Sequence, residues 1–362
     1  TITTPKKIGS EFQVNTHTTG NQNYASVSKL NDGGFVVTWH EDSGQDGDST
    51  GVFGQRFDSN GTTVGSEFQV NTTTNDEQIY PSVTNLNDGG FVATWEAHGQ
   101  DGDGWGVYGQ RYDSSGATVG SEFQVNTHTS NHQVFPSITN LTGGGFVATW
   151  MSLDQDSDDY GIYGQRFNSN GTTLGSEFQI NTNITNYQSY PSIAGLTDGG
   201  FVVTWMSLGQ DGDEAGVYGQ LYDVNGATVG SEFQINTHTN NDQAYPSVTT
   251  LEDGGFLVTW DSREQDGDGW GVYGQRYDIG GAAVGPEFQV NTHTSNNQIS
   301  SSGKTKSVTN LSDGGFVVAW GSDLQDGSGF GLYGQRYDSN GAVVGSEFHI
   351  STHTTNHQAY PS

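Results

Sequence analysis

Apolar residues run along this chain in short alternating bursts, each closed by a cluster of Gly, Asn, Asp or Ser. Residues 91–95, FVATW, are typical. Phe91, Ala93 and Trp95 fall on one side of an extended strand, Val92 and Thr94 on the other. The residue types favour strands, and no stretch sustains the period of a helix. The turns between bursts, such as Asn-Asp-Gly-Gly at 87–90 and Ser-Ser-Gly at 114–116, carry hairpin chemistry.

The pattern repeats. GSEF or GPEF begins at Gly9, Gly65, Gly120, Gly175, Gly230, Gly285 and Gly345, at intervals of 55 or 56 residues and, for the last, 60. The repeat units fall at about 9–64, 65–119, 120–174, 175–229, 230–284 and 285–344, with a partial repeat at 345–362 for closure. Each holds four bursts in order: strand A (YPSVTNL, 80–86), B (FVATW, 91–95), C (GVYGQRYD, 106–113) and D (SEFQVNT, 121–127). Four short strands per unit, six times over, predict one all-β domain over 1–362, a β-propeller with six four-stranded blades. A lone blade cannot bury both faces, whereas stacked blades can. Seven blades, an open array or a linear solenoid fit less well. A seventh D-like segment, EFQVNT at 11–16, leaves open which strand closes the ring.

Antiparallel strands put the B–C loops and the D–A connections on one face, which is where a site is expected. The B–C loop is acidic: QDGD at 100–103 recurs from Gln45, Gln210 and Gln265, with QDSD at 155–158 and QDGS at 325–328. Two carboxylates a few ångströms apart repel by about 1–3 kcal/mol, and a hard cation removes that cost. Calcium, which takes six to eight oxygens, is therefore the expected cofactor. Its ligands are expected among Asp46, Asp48, Asp101, Asp103, Asp156, Asp158, Asp211, Asp213, Asp266, Asp268 and Asp326, Ser328 weakening the last loop. The competing reading is a polar hairpin whose carboxylates accept backbone N–H groups.

Three further regularities carry chemistry. Arg56, Arg111, Arg166, Arg276 and Arg336 occupy the GQR position of strand C, where the fourth repeat has Leu221. They are expected as structural clamps on the Glu of GSEF, since a flanked guanidinium needs a carboxylate. Trp105, Tyr160, Trp270 and Phe330 follow the acidic loop and are candidates for stacking on a sugar; packing onto their own blade competes. His17, His128, His238, His293 and His353 recur at one position of the repeat, missing from the units at 65–119 and 175–229, and stand too far apart to share one metal. Departures from the repeat are few: His40-Glu41, Glu96 and Arg263-Glu264 just after strand B, and an insertion within 299–307 that brings Lys304 and Lys306. None forms an evident acid–base pair.

Composition narrows the partners. The formal net charge of −30, with 11 Lys+Arg against 41 Asp+Glu, excludes nucleic acid and anionic membrane surfaces as natural partners. No segment approaches the roughly 20 apolar residues of a membrane helix, so no membrane insertion is expected. Cysteine is absent, so there are no disulfides or thiolate metal sites. The first residues, TITTPKKIGSEF, have no signal-peptide core, and a secretion signal would lie outside them.

The run GSEFQVNT, DGGFVVTW, QDGD, GVYGQRYD resembles repeats of large secreted bacterial and cyanobacterial proteins associated with calcium binding and RTX-type modules. The resemblance covers nearly the whole chain. It implies an extracellular or cell-surface setting, although the RTX nonapeptide itself is missing. The expected function is a non-catalytic, calcium-stabilised adhesion module of a larger secreted protein, not an enzyme, with glycans or matrix and cell-surface proteins as partners. The alternatives are a lectin with sugar sites between blades and a polysaccharide-acting hydrolase or lyase.

Overall fold

The computed structural model describes residues 9–300, 307–353, 358 and 361. The described residues contain no helix, and the chain forms six four-stranded antiparallel blades of a β-propeller. Within every blade the strands follow chain order. The second blade is Gln78–Asn85, Phe91–His98, Trp105–Tyr112 and Thr118–Gln124. In the sixth blade strand A is split into Gln298–Ile299 and Val308–Asn310. The residues inserted between, 301–306 with Lys304 and Lys306, lie outside the described residues.

The chain divides into two compact units, one of Gln13–Gly195 and one of Thr1–Phe12 with Leu196–Ser362. The 13–195 unit holds the first three blades and Gln188–Gly195. The other holds the strands from Phe201–Leu208 to Val343–His349. The sixth blade uses its own strand D, and the D-like segment at 11–16 forms no strand.

Strand B is the core of each blade because both of its sides are apolar. Val92, Ala93 and Trp95 are fully buried, as are Val147, Ala148 and Trp150. Phe91 stacks on Tyr112 across the B–C pair at 4.6 Å. Burying a side chain of this size contributes about 1.5–3 kcal/mol. The A–B turn needs glycine for close approach: a Cβ on Gly90 would lie 2.1 Å from the carbonyl oxygen of Tyr112.

Candidate functional site

The acidic loop works first as a connector. Asp103 accepts the backbone N–H of Asn131 at 3.1 Å, and the same bond joins Asp48 to Asp76, Asp158 to Asn186, Asp213 to Asn241 and Asp268 to Asn296. Each acceptor thus meets the D–A connection that follows it, on the expected common face. The first aspartate is turned into its own loop, Asp101 accepting from Asp103 N at 3.3 Å and from the Gln124 amide at 3.3 Å. Asp46, Asp156, Asp211, Asp266 and Asp326 do the same toward the residue two on. Burial pushes the Asp156 carboxyl up, N–H bonds only partly offsetting it. In the sixth blade His349 replaces the glutamine and lies 3.7 Å from Asp326. Among the described residues no three or more His, Cys, Asp or Glu side chains are grouped to hold a metal.

The arginine clamp has a different partner from the expected one. Arg56, Arg111 and Arg276 pair with Asp32, Asp88 and Asp253 of their own A–B turns at 3.6, 3.2 and 3.0 Å, and Arg336 pairs with Asp313. Arg56 and Arg276 also donate to the carbonyls of Ser114 and Ser339 in the next blade's C–D turn, both at 2.9 Å. The cause is a bulge in the C–D pairing, between Gly54 and Arg56 and at the same place in the second blade. It displaces the SEF glutamate, which instead accepts the QDGD glutamine and the preceding connection: Glu122 takes Gln100 at 2.6 Å and Thr72 N at 2.6 Å. In the third repeat Gly143 stands where these turns carry the clamp aspartate.

The loop aromatics are half-buried and pack locally. Trp105 meets His98 of its own strand B at 5.0 Å, and Trp270 meets Tyr245 of its own strand A at 6.3 Å. Tyr160 meets Tyr187 of the following connection edge-on at 5.7 Å. Phe330 is half-buried, and its carbonyl accepts Gln358 N at 2.7 Å.

A second constellation on this face escapes sequence reading. The aromatic residue near the start of strand A adopts a left-handed backbone: Tyr24, Tyr80, Phe135, Tyr190 and Tyr245 have φ of 51°, 52°, 56°, 54° and 57°. For a bulky residue this is strained. A bulge in the A–B pairing accompanies it, between Asn23 and Ser26, Ile79 and Ser82, and Ala244 and Ser247. The bulge strips the aromatic N–H of its ladder partner. The residue just after the strand B tryptophan of the preceding blade supplies an acceptor: His40 Nδ1 to Tyr80 at 3.2 Å, Glu96 Oε1 to Phe135 at 2.6 Å, Met151 Sδ to Tyr190 at 3.3 Å. In the other unit Asp261 Oδ1 takes both the N–H and the hydroxyl of Ser300, at 2.7 and 2.6 Å. All four acceptors are buried. Glu96 also acts at a distance: burial, then Tyr24 and Glu96, push the Tyr80 phenol up to about 12, and burial, then Glu96, raise Tyr160.

No family model and no curated protein sequence matches the chain. Solved structures do. A protein of unknown function from Dyadobacter fermentans is 10% identical, covers 87% of this chain and 93% of its own, and gives a TM-score of 0.54. An α-L-arabinofuranosidase from Fusarium graminearum, solved with an iminosugar inhibitor, is 12% identical over 83% of this chain and 88% of its own, with a TM-score of 0.58. An α-L-arabinanase from Penicillium chrysogenum, complexed with arabinobiose, is 13% identical over the same shares, with a TM-score of 0.56.

Such low identity establishes the fold alone. The expectation of a non-catalytic adhesion module, and so of a protein that is not an enzyme, is corrected on this finding: the similar structures whose activity is named are an α-L-arabinofuranosidase and an α-L-arabinanase. No described helix is long and apolar enough to cross a membrane.

Proposed function

We propose that the protein is a polysaccharide-acting glycoside hydrolase with Glu96 as an acid–base carboxyl. One observation carries this reading. The fold needs only a weak acceptor after the strand B tryptophan, and Met151 supplies one; Glu96 puts a buried carboxylate there instead. A buried carboxylate is costly, so packing alone does not account for it. Phe135 N–H fixes one oxygen of Glu96 at 2.6 Å. A positioned carboxyl can protonate a glycosidic oxygen as the bond to carbon breaks, and then deprotonate the attacking water. Asp261 occupies the same repeat position in the other unit, with Ser300 holding one oxygen. The arabinan-related names of the similar structures make α-L-arabinofuranosyl polymers the first substrates to try. An extracellular setting, implied by the repeat resemblance, suits such substrates.

The test is release of reducing sugar from arabinan, arabinoxylan and xylan. Glu96→Gln keeps an acceptor for Phe135 and should lose about 10²-fold or more in kcat. Asp261→Asn is the companion variant. Hydrolysis unchanged in Glu96→Gln, or no turnover of any polymer by the wild type, would end the proposal.

The acidic loops favour a second, compatible reading, that calcium steadies them. Gln100, Gln155, Gln210, Gln265 and Gln325 each bury a side-chain carbonyl oxygen that accepts no hydrogen bond, and Asp46 buries one such carboxylate oxygen. Orphaned acceptors cost about 1–3 kcal/mol each, and a hard cation would satisfy them. These glutamines and the aspartates beside them would hold it. EDTA should lower the melting temperature and added calcium restore it; a melt indifferent to both would remove the metal.

A further inference from the structure

The strand A aromatics of the 13–195 unit form a continuous run. Tyr24 meets Tyr80 edge-on at 4.8 Å, Tyr80 stacks on Phe135 at 5.5 Å, and Phe135 meets Tyr190 at 5.2 Å. His40 lies between the first two rings, 5.3 and 5.4 Å from them. The run passes Glu96, whose carboxylate holds the Phe135 N–H.

These rings differ from the core aromatics of the blades. Phe91, Phe146 and Phe201 are fully buried, whereas Tyr24, Tyr80, Phe135 and Tyr190 all keep part of their surface open. Each sits at a strained φ, and bulges of this kind re-aim a side chain. Strain repeated four times to present half-open rings on the face of the acidic loops is not needed to fill a core. Three of the four rings also carry a hydroxyl. A tyrosine phenol stays protonated, and so able to donate, throughout the physiological range. Aromatic faces beside hydroxyl donors are what a carbohydrate needs, the apolar side of the sugar lying on a ring and its hydroxyls bonding around it.

We propose that Tyr24, Tyr80, Phe135 and Tyr190 form a binding track for an uncharged oligosaccharide several residues long, presenting it to Glu96. The inference rests on the hydrolase reading for the last step only. The charge excludes polyuronates: the chain carries −30 overall, and Glu77 and Glu96 both act on Tyr80.

The experiment uses the full chain carrying Glu96→Gln, with binding of neutral arabino-oligosaccharides of two to six sugars measured by calorimetry. Affinity should climb with length. Tyr24→Leu and Tyr190→Leu, which keep apolar bulk but remove the flat ring, should each weaken binding of the longest oligomer by about two- to tenfold. The disaccharide should be affected less, and an oligogalacturonide of equal length should bind at least about tenfold more weakly. Tyr190→Phe retains the ring and should weaken binding less than Tyr190→Leu. Affinity flat with length, or indifferent to both Leu variants at unchanged melting temperature, would overturn the track. The two readings fail separately. Length-dependent binding without hydrolysis by the wild type leaves the track and removes the enzyme; hydrolysis with kcat/KM unchanged in both Leu variants does the reverse.

Discussion

Thr352 donates its backbone N–H to Oε2 of Glu11 at 2.9 Å, and its hydroxyl bonds the same oxygen, across 341 residues of chain. The bond is the one Thr72 makes with Glu122, Thr127 with Glu177, and Thr237 with Glu287. There the glutamate follows the threonine by 50 residues; here it precedes it. A short segment that forms no strand thereby secures the chain just after the last strand of the sixth blade. Glu11→Ala should lower the melting temperature by about 1–3 °C and Glu11→Gln by less, since the amide oxygen still accepts. Equal melting curves for Glu11→Ala and wild type would show that the bond contributes nothing.

Glu67 predicts an acid dependence. Burial raises its carboxyl, but bonds from the Gln45 amide and from the N–H and hydroxyl of Thr16 outweigh it and hold the group below the usual glutamate range. A depressed carboxyl stabilises the fold above its unfolded pKa of about 4.3, and that contribution is lost as pH falls through the folded value. Melting measured across the acid range should show wild type above Glu67→Gln near neutrality, the gap closing on acidification. A gap that widens in acid would reverse the sign.

The clamp arginines should tolerate leucine better than alanine. Leu221 takes the clamp position in the fourth repeat and packs against Gly281, as Arg111 packs against Gly171. Arg111→Leu should therefore cost under about 1 kcal/mol, because it loses a partly exposed ion pair with Asp88 but keeps the packing. Arg111→Ala leaves a gap between blades and should cost about 1–3 kcal/mol. Urea denaturation ranking leucine below alanine would contradict this.

The A–B turn should resist any side chain. Gly90→Ala brings a Cβ to within 2.1 Å of a backbone carbonyl that cannot move without breaking the B–C pair. A loss of about 2 kcal/mol or more is expected, whereas Gly102→Ala, with open space around it but φ of 101°, should cost less. Comparable stability for the two would show that the turn relaxes.

The blades were readable because strand alternation and a fixed period leave little freedom: FVATW can only be a doubly buried strand if its neighbours repeat it. The acidic loops and the connections could be put on one face for the same reason, by counting antiparallel strands. Partners were harder. Arg111 and Glu122 look adjacent until the bulge between Gly109 and Arg111 slips the register and sends the glutamate to Thr72. Glu96 stood out as a departure from the repeat, yet its neighbours did not, because Tyr80 and Phe135 read as ordinary strand residues. Their left-handed backbone, and the N–H it leaves needing an acceptor, exist only once the pairing is known.

The position after the strand B tryptophan is a socket that accepts nitrogen, oxygen or sulfur: His40, Glu96, Met151 and Asp261 all fit it. Structural duty there asks only for a lone pair, so the identity of the atom is free to vary. A lineage built on this repeat can exchange reactive groups one blade at a time, gaining or discarding chemistry while the surrounding sheets keep their register.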